Sequence, residues 1–283
     1  MTHTNYIMTN QSVDRTGIVA ALTGCLAQHN GFITELSQFG TPSSERFYSR
    51  IAFRMSGDNY AAFEMAMKLV SKQFDLNTQI VPALRKTKAL IMVSKSDHCL
   101  ADLIYRVSKG RLNCEIVAIA SNHKDARNLA EIAELPFMHI PVTPQTKVSA
   151  EKELRLMIEK TGTELIVLAR YMQILSDEFC RDYLGRIINI HHSFLPSFKG
   201  AKPYHRAYAR GVKLIGATAH YVTAELDEGP IIEQSVQRVD HTMTPTRLID
   251  IGRDVEAQTL AEAVRLHCQH RAFLNGNKTV ILP

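Results

Sequence analysis

Three side chains in the second half of the sequence can handle protons and a developing negative charge: Asn189, His191 and Asp227, with a further imidazole, His220, between them. Asn189 and His191 lie two apart in Ile187-Ile188-Asn189-Ile190-His191, an apolar, β-branched run that reads as a strand. Strand side chains alternate, so both polar groups point to one face. A buried amide and imidazole side by side are costly unless they have partners or work to do. Pro196 and Gly200 then break the backbone, which puts the pair near the carboxyl end of the strand, where open α/β sheets place their sites. Asp227 sits in the turn Leu226-Asp227-Glu228-Gly229-Pro230. An Asn NH₂ can donate to an oxygen that becomes negative, a His can move a proton near neutral pH, and an Asp can orient water or hold the imidazole charged. Such a set acts on a carbonyl without a Ser or Cys nucleophile. A single buried Asn or His is ordinarily a satisfied core residue; three polar residues bracketed by Pro and Gly favour a site.

The elements that must position these residues follow from the hydrophobic rhythm. Apolar strands at 89–93, 116–120, 137–142, 165–169 and 187–191 alternate with helical stretches at 100–107, 126–135, 150–160 and 177–184. That alternation predicts an α/β fold with a doubly wound, mainly parallel sheet. A hairpin over 213–239, a long helix over 244–271 and a final apolar strand within 273–283 complete it. Residues 5–83 read differently, as a βαββαβ unit, with two helices on one face of a small sheet. Asp14-Arg15-Thr16-Gly17-Ile18-Val19 opens its first helix, Asp14 as a cap and Gly17 as a point where a loop or ligand can approach the backbone. A short charged linker, Leu84-Arg85-Lys86-Thr87, separates domains at 1–84 and 85–283.

Composition sets further bounds. A chain of 283 residues, 45% hydrophobic and 22% charged, has the make-up of an ordinary globular protein with ample core. The net charge of +5 is spread along the chain, which suits an anionic substrate but not nucleic acid. Cys25, Cys99, Cys114, Cys180 and Cys268 are odd in number and lack paired spacing. With no signal-like start, they point to reduced thiols and a cytoplasmic protein. No apolar run is long enough to span a bilayer. The first turn of the parallel sheet, Val93-Ser94-Lys95-Ser96-Asp97-His98, has no glycine, so NAD or FAD is not expected, although Ser94, Lys95 and Ser96 could contact an anion. His191 and His192 should face opposite ways and not share a metal; imidazole and carboxylate could make a metal set of His191, His220 and Asp227. His205, His241 and His267 read as surface residues. The Met172, Ile174 and Leu175 side chains read as core on apolarity alone.

The motifs N-I-H-H-S-F-L-P-S-F-K-G and H-Y-V-T-A-E-L-D-E-G-P-I-I resemble those of the formyltransferase-fold proteins that use 10-formyltetrahydrofolate. Over its full length the chain is similar to the formyltetrahydrofolate deformylases within them. The resemblance implies a ferredoxin-like ACT domain in front, with an amino-acid effector near Asp14 and Gly17 and a homo-oligomer. It implies Asn189, His191 and Asp227 as the catalytic trio without a metal, with His220 in support. It also implies a folate pocket lined by Met172, Gln173, Ile174 and Leu175 on one side and Val222, Thr223 and Ala224 on the other. The reaction it implies is hydrolysis of 10-formyltetrahydrofolate to tetrahydrofolate and formate, with no further cofactor, supplying formate for purine synthesis and balancing one-carbon folate pools. The alternative is formyl transfer to an amine such as glycinamide ribonucleotide. Relatives that transfer to a ribonucleotide carry a glycine-rich first turn for its phosphate, which this chain lacks.

Overall fold

The computed structural model describes residues 3–41, 45–193 and 203–283; Pro196 and Gly200 lie outside the described residues. The chain forms two compact units. The first contains Met1–Arg85 with Gln269–Phe273 and Val280–Pro283, and the second contains Lys86–Cys268 with Leu274–Thr279.

In the first unit β1 (His3–Val13), β2 (Phe32–Thr41), β3 (Arg46–Ser56) and β4 (Asn77–Pro82) form an antiparallel sheet in the order β2-β3-β1-β4. Helices α1 (Ile18–Gln28) and α2 (Gly57–Phe74) supply its core partners, Leu22, Leu26, Phe63 and Met67, against Met8, Ile51 and Phe53 of the strands. Buried polar groups on the strands satisfy one another: Asn10 Nδ2 donates to Ser49 Oγ at 3.0 Å and its Oδ1 accepts from Thr78 Oγ1 at 2.8 Å. Helix α1 departs from the sequence expectation at its start. No side chain caps it; Gly17, at φ 96°, takes the cap position. The Asp14 carboxylate lies instead against Gly40, where a Cβ would come within 2.5 Å of its Oδ2.

The second unit is the doubly wound sheet. It runs through β5 (Thr87–Val93), α3 (His98–Ser108), β6 (Cys114–Ser121), α4 (Arg127–Ile132), β7 (Phe137–His139), α5 (Lys147–Thr161), β8 (Leu165–Leu168), α6 (Asp177–Asp182) and β9 (Ile187–His191). Then come α7 (Pro203–Arg210), β10 (Leu214–Tyr221), β11 (Ile231–Arg238) and α8 (Pro245–Cys268). The strand order is β11-β10-β9-β8-β5-β6-β7, parallel from β9 to β7, with β10 and β11 antiparallel at one side. Central strands covered on both faces need apolar side chains throughout, and all of Leu165–Leu168 is buried. Leu154, Met157 and Ile158 of α5 pack one face. Helix α8 packs against β9, β10, β11 and α3.

The winding starts at β5 and reverses beside β8, so the crevice at their carboxyl ends is the switch point. The segments after β8 and β9 open there. Helix α7 had no counterpart in the sequence reading. The expected final strand is a hairpin, β12 (Ala272–Asn275) and β13 (Lys278–Ile281), turning through Gly276 at φ 62°. Within the first unit, its Phe273 and Leu282 bury against Tyr48 of β3. All five cysteines are free and buried. No helix among the described residues is long and apolar enough to cross a membrane.

Candidate active site

The site is assembled where an antiparallel strand meets the parallel sheet. Strand β10 pairs with β9 so that His220 lies directly opposite Asn189, and Thr218 opposite His191. A bulge between Ala219 and His220 shifts the register against β11 at this point. Such an irregularity re-aims the adjacent side chain. His220, 2% exposed, places Nε2 3.3 Å from Asn189 Nδ2 and Nδ1 3.0 Å from the Tyr221 carbonyl oxygen. A carbonyl only accepts, so Nδ1 carries the proton; an amide NH₂ only donates, so Nε2 is the acceptor. His220 is therefore held as the neutral Nδ1–H tautomer. One N–H of Asn189 is used, and among the described residues the other is left for a ligand.

Asp227 reaches the strands from the hairpin turn. Its backbone is left-handed, φ 58°, a conformation that costs a side-chain-bearing residue about 1 kcal/mol or more. The turn closes because Gly229 has no side chain: a Cβ there would sit 1.7 Å from the Tyr221 carbonyl oxygen and 3.2 Å from His220 Nδ1. Closed, it sets Asp227 Oδ2 3.2 Å from His191 Nδ1 and Oδ1 3.7 Å from His220 Nε2. The hydrogen bond from His191, which outweighs burial, holds the Asp227 carboxyl well below the usual carboxylate range. A depressed carboxyl contributes stability above its ordinary pKa and loses it only as pH falls through the folded value. Asp227 therefore stays a carboxylate throughout the mildly acid and neutral range.

Because that carboxylate only accepts, His191 Nδ1 carries a proton, and Nε2 is left as the ring's working atom. It is buried and has no hydrogen-bond partner among the described residues. Buried polar atoms are nearly always paired, so an orphan in a cavity wall points to a bound water or substrate.

The cavity in front of it encloses about 240 Å³. Met172, Gln173, Ile174 and Leu175 line one side and Val222, Thr223 and Ala224 another, with Asn189, His191, His220 and Asp227 in the wall. The reading of Met172 and Ile174 as core fails: each is 62% exposed, an apolar surface open to the cavity, while Leu175 is buried. Ser176 ends this segment by capping α6, accepting from Phe179 N at 3.2 Å, and is itself braced by Glu151.

Three sequence expectations are corrected here. Ser94 is no anion contact: it is 3% exposed, donates to Asn122 Oδ1 at 2.7 Å and accepts from Met172 N at 2.9 Å, so it braces the pocket wall. His192 does not face away from His191, because β9 ends at His191 and the chain turns; the two rings stack at 4.8 Å with an 18° interplanar angle. His267 is half-buried and shares a hydrogen bond of 2.8 Å with the Tyr221 hydroxyl.

Arg170 and Glu256 were missed. The signal was there for Glu256: it interrupts the otherwise uncharged buried stripe Gly252, Val255, Thr259, Leu260 and Ala263 of α8. Among the described residues, the metal-type donors that come within 4.8 Å of one another are His98, Cys99 and Glu256 rather than the trio. Arg170 Nε, 3.3 Å from Glu256, already supplies the positive charge there.

Gly229→Ala tests the turn. Its methyl would enter the His220 Nδ1–Tyr221 contact, and such overpacking costs about 1–3 kcal/mol. The variant should melt several degrees lower and lose at least about tenfold in kcat through displacement of Asp227. Wild-type melting and kcat would contradict the assigned geometry.

The comparisons with known proteins bear on the whole chain. The model of the family described as "Formyl transferase" matches residues 87–264. The formyltetrahydrofolate deformylase of Corynebacterium sp. (strain P-1) is 50% identical over 279 residues, 98% of each chain. The crystal structure of the formyltetrahydrofolate deformylase from Burkholderia mallei superposes with a TM-score of 0.95 at 47% identity, covering 99% of this chain and 100% of that one. Glycinamide ribonucleotide transformylase 1 from Symbiobacterium toebii matches at 29% identity and a TM-score of 0.65, over 70% of this chain and 95% of its own. At that identity and over that length, the chain belongs to the formyltetrahydrofolate deformylase family.

Proposed function

We propose that this chain hydrolyses 10-formyltetrahydrofolate to tetrahydrofolate and formate. The observation that carries the reading is His191, anchored to the Asp227 carboxylate through Nδ1 while Nε2, in a cavity wall beside Asn189, has no partner among the described residues. The folate's flat heteroaromatic ring fits against Met172 and Ile174, with Val222, Thr223 and Ala224 opposite. A water held by His191 and Asp227 adds its oxygen to the formyl carbon. The free N–H of Asn189 takes the developing oxyanion, a contribution of about 3 kcal/mol when preorganised. His191 Nε2 accepts the water's proton, the carboxylate stabilises the resulting imidazolium, and the proton passes to N10 as the carbon–nitrogen bond breaks. The formic acid so formed loses the remaining water proton to solvent and leaves as formate. His220 holds Asn189 in position, and the scheme uses no metal and no cofactor beyond the folate. Formate so released would feed purine synthesis and balance the one-carbon folate pools.

Water rather than an amine is favoured as the acceptor because the turn after β5 is glycine-free and the hydroxyl of its Ser94 is committed to Asn122 and to the Met172 N–H. A phosphate-bearing acceptor needs free backbone amides there. We also place a small amino-acid effector at Asp14 and Gly17 of the first unit and assign that unit to self-association; its βαββαβ sheet and the left-handed turn at Gly17 support this.

Purified protein given 10-formyltetrahydrofolate alone should release formate, with no increase when glycinamide ribonucleotide is added. Asn189→Ala, His191→Ala and Asp227→Ala should each lower kcat on the order of 100-fold while folate still binds. Formylation of the ribonucleotide at ordinary enzyme rates, with negligible formate, would overturn the hydrolytic reading. For the effector, calorimetry across the standard amino acids should find one that binds the full chain and is lost in Gly17→Val; no binding by any of them would remove the effector.

A further inference from the structure

Beside His191 lies a second set of polar groups that the hydrolytic scheme does not use, two of which, Arg170 and His192, also line the cavity. The ring of His192 stacks on that of His191, and its Nδ1 lies 2.9 Å from Arg170 Nη1. A guanidinium only donates, so His192 Nδ1 accepts and the ring is neutral, protonated at Nε2. Arg170 Nε lies 3.3 Å from Oε2 of Glu256, which is 1% exposed. Burial would raise the Glu256 carboxyl, but the hydrogen bond from His98, the Arg170 charge and the Tyr204 hydroxyl hold it below its ordinary value. His98 Nε2 sits 2.9 Å from Oε2 and the Tyr204 hydroxyl donates to Oε1 at 2.7 Å. Gly252 gives Tyr204 the room to do so, since a Cβ there would meet its ring at 2.2 Å. Arg170 itself holds a left-handed backbone, φ 63°, directly after β8. Strained and charged, and ion-paired to Glu256 through an Nε that makes no hydrogen bond among the described residues, it has the marks of a residue fixed for function.

We infer that Arg170, anchored by Glu256, is a positioning residue that keeps His192 uncharged and flat against His191, so that the positive charge formed during the reaction has only one imidazole to occupy. Two imidazolium rings at stacking distance would repel, and protonation of His192 would oppose the proton transfer to His191. Among the described residues, Arg170 from the segment after β8 and His191 from β9 disfavour protonation of His192, while Glu256 of α8 and Asp227 of the hairpin turn favour it. Burial leads and Arg170 follows, and together they push His192 down to about 4. A merely structural Arg170–Glu256 brace would stabilise the fold without touching the pH dependence.

The inference rests on the hydrolytic reading for its kinetic arm and is independent of it for its spectroscopic arm. In the kinetic arm, formate release by the full chain is followed from pH 5 to 9. Arg170→Met should lower kcat on the order of tenfold at neutral pH with KM within about twofold, and should add a loss of rate on the acid side. His192→Phe keeps a flat ring without a titrating group and should retain kcat within about threefold, with no added acid limb. Adding His192→Phe to Arg170→Met should remove the acid limb. An Arg170→Met enzyme with the wild-type pH profile, or a double variant that keeps the acid limb, overturns the inference.

In the spectroscopic arm, ¹⁵N signals of the histidine rings are titrated in the wild-type protein, with His192 assigned by His192→Phe. His192 should stay neutral down to pH 5, protonated at Nε2. Protonation of its ring above pH 6 overturns the inference even where Arg170→Met fails to fold or no formate is released.

Discussion

A half-buried carboxylate in a strained turn is held ionised by the His191 imidazole, and the rest of the site depends on that arrangement. Asp227 adopts a left-handed backbone to reach His191 on β9 and His220 on β10. Its charge fixes which nitrogen of His191 bears a proton, and so which nitrogen faces the cavity. His220 is fixed separately, by the Tyr221 carbonyl, and in turn fixes the Asn189 amide. Four side chains thus have their donors and acceptors assigned before any ligand arrives. Preorganisation of this kind gives fixed dipoles their catalytic weight in a water-poor cavity.

The fold makes the arrangement possible through one departure from regular winding. Here β10 returns antiparallel beside β9, which brings His220 level with Asn189, and the segment that follows β10 carries Asp227 to His191. The turn then needs a residue without a side chain against the Tyr221 carbonyl, and Gly229 provides it. On the other side, β8 ends at the switch point, and its following segment exposes Met172 and Ile174 to the cavity.

Much of this was legible because it rests on short-range rules. The alternation of β9 put Asn189 and His191 on one face, and the Pro and Gly punctuation marked Asp227 as a turn residue. The same rules failed where tertiary contacts took over. Asp14 was read as a helix cap, yet its carboxylate is taken up beside Gly40 on a neighbouring strand. His192 was assigned to the opposite face by extending β9 one residue too far. Ser94 looked available to an anion because nothing local announces that Asn122 and the Met172 amide claim it. The pairing of Arg170 with Glu256 joins the segment after β8 to a helix much later in the chain, and no local pattern announces such a partner. The hairpin at the carboxyl end likewise depends on a β3 residue, Tyr48, from the opposite end of the sequence.

The account turns on the proton positions that Asp227 and the Tyr221 carbonyl impose, and ¹⁵N NMR of the histidine rings reads these directly. Near neutral pH the spectra should show His191 and His220 both protonated at Nδ1, with His220 Nε2 an unprotonated acceptor. Asp227→Asn should disturb the His191 signals and leave His220 Nδ1 protonated. A His191 ring protonated at Nε2 with a bare Nδ1 would contradict the account, because the Asp227 carboxylate could not then hold it.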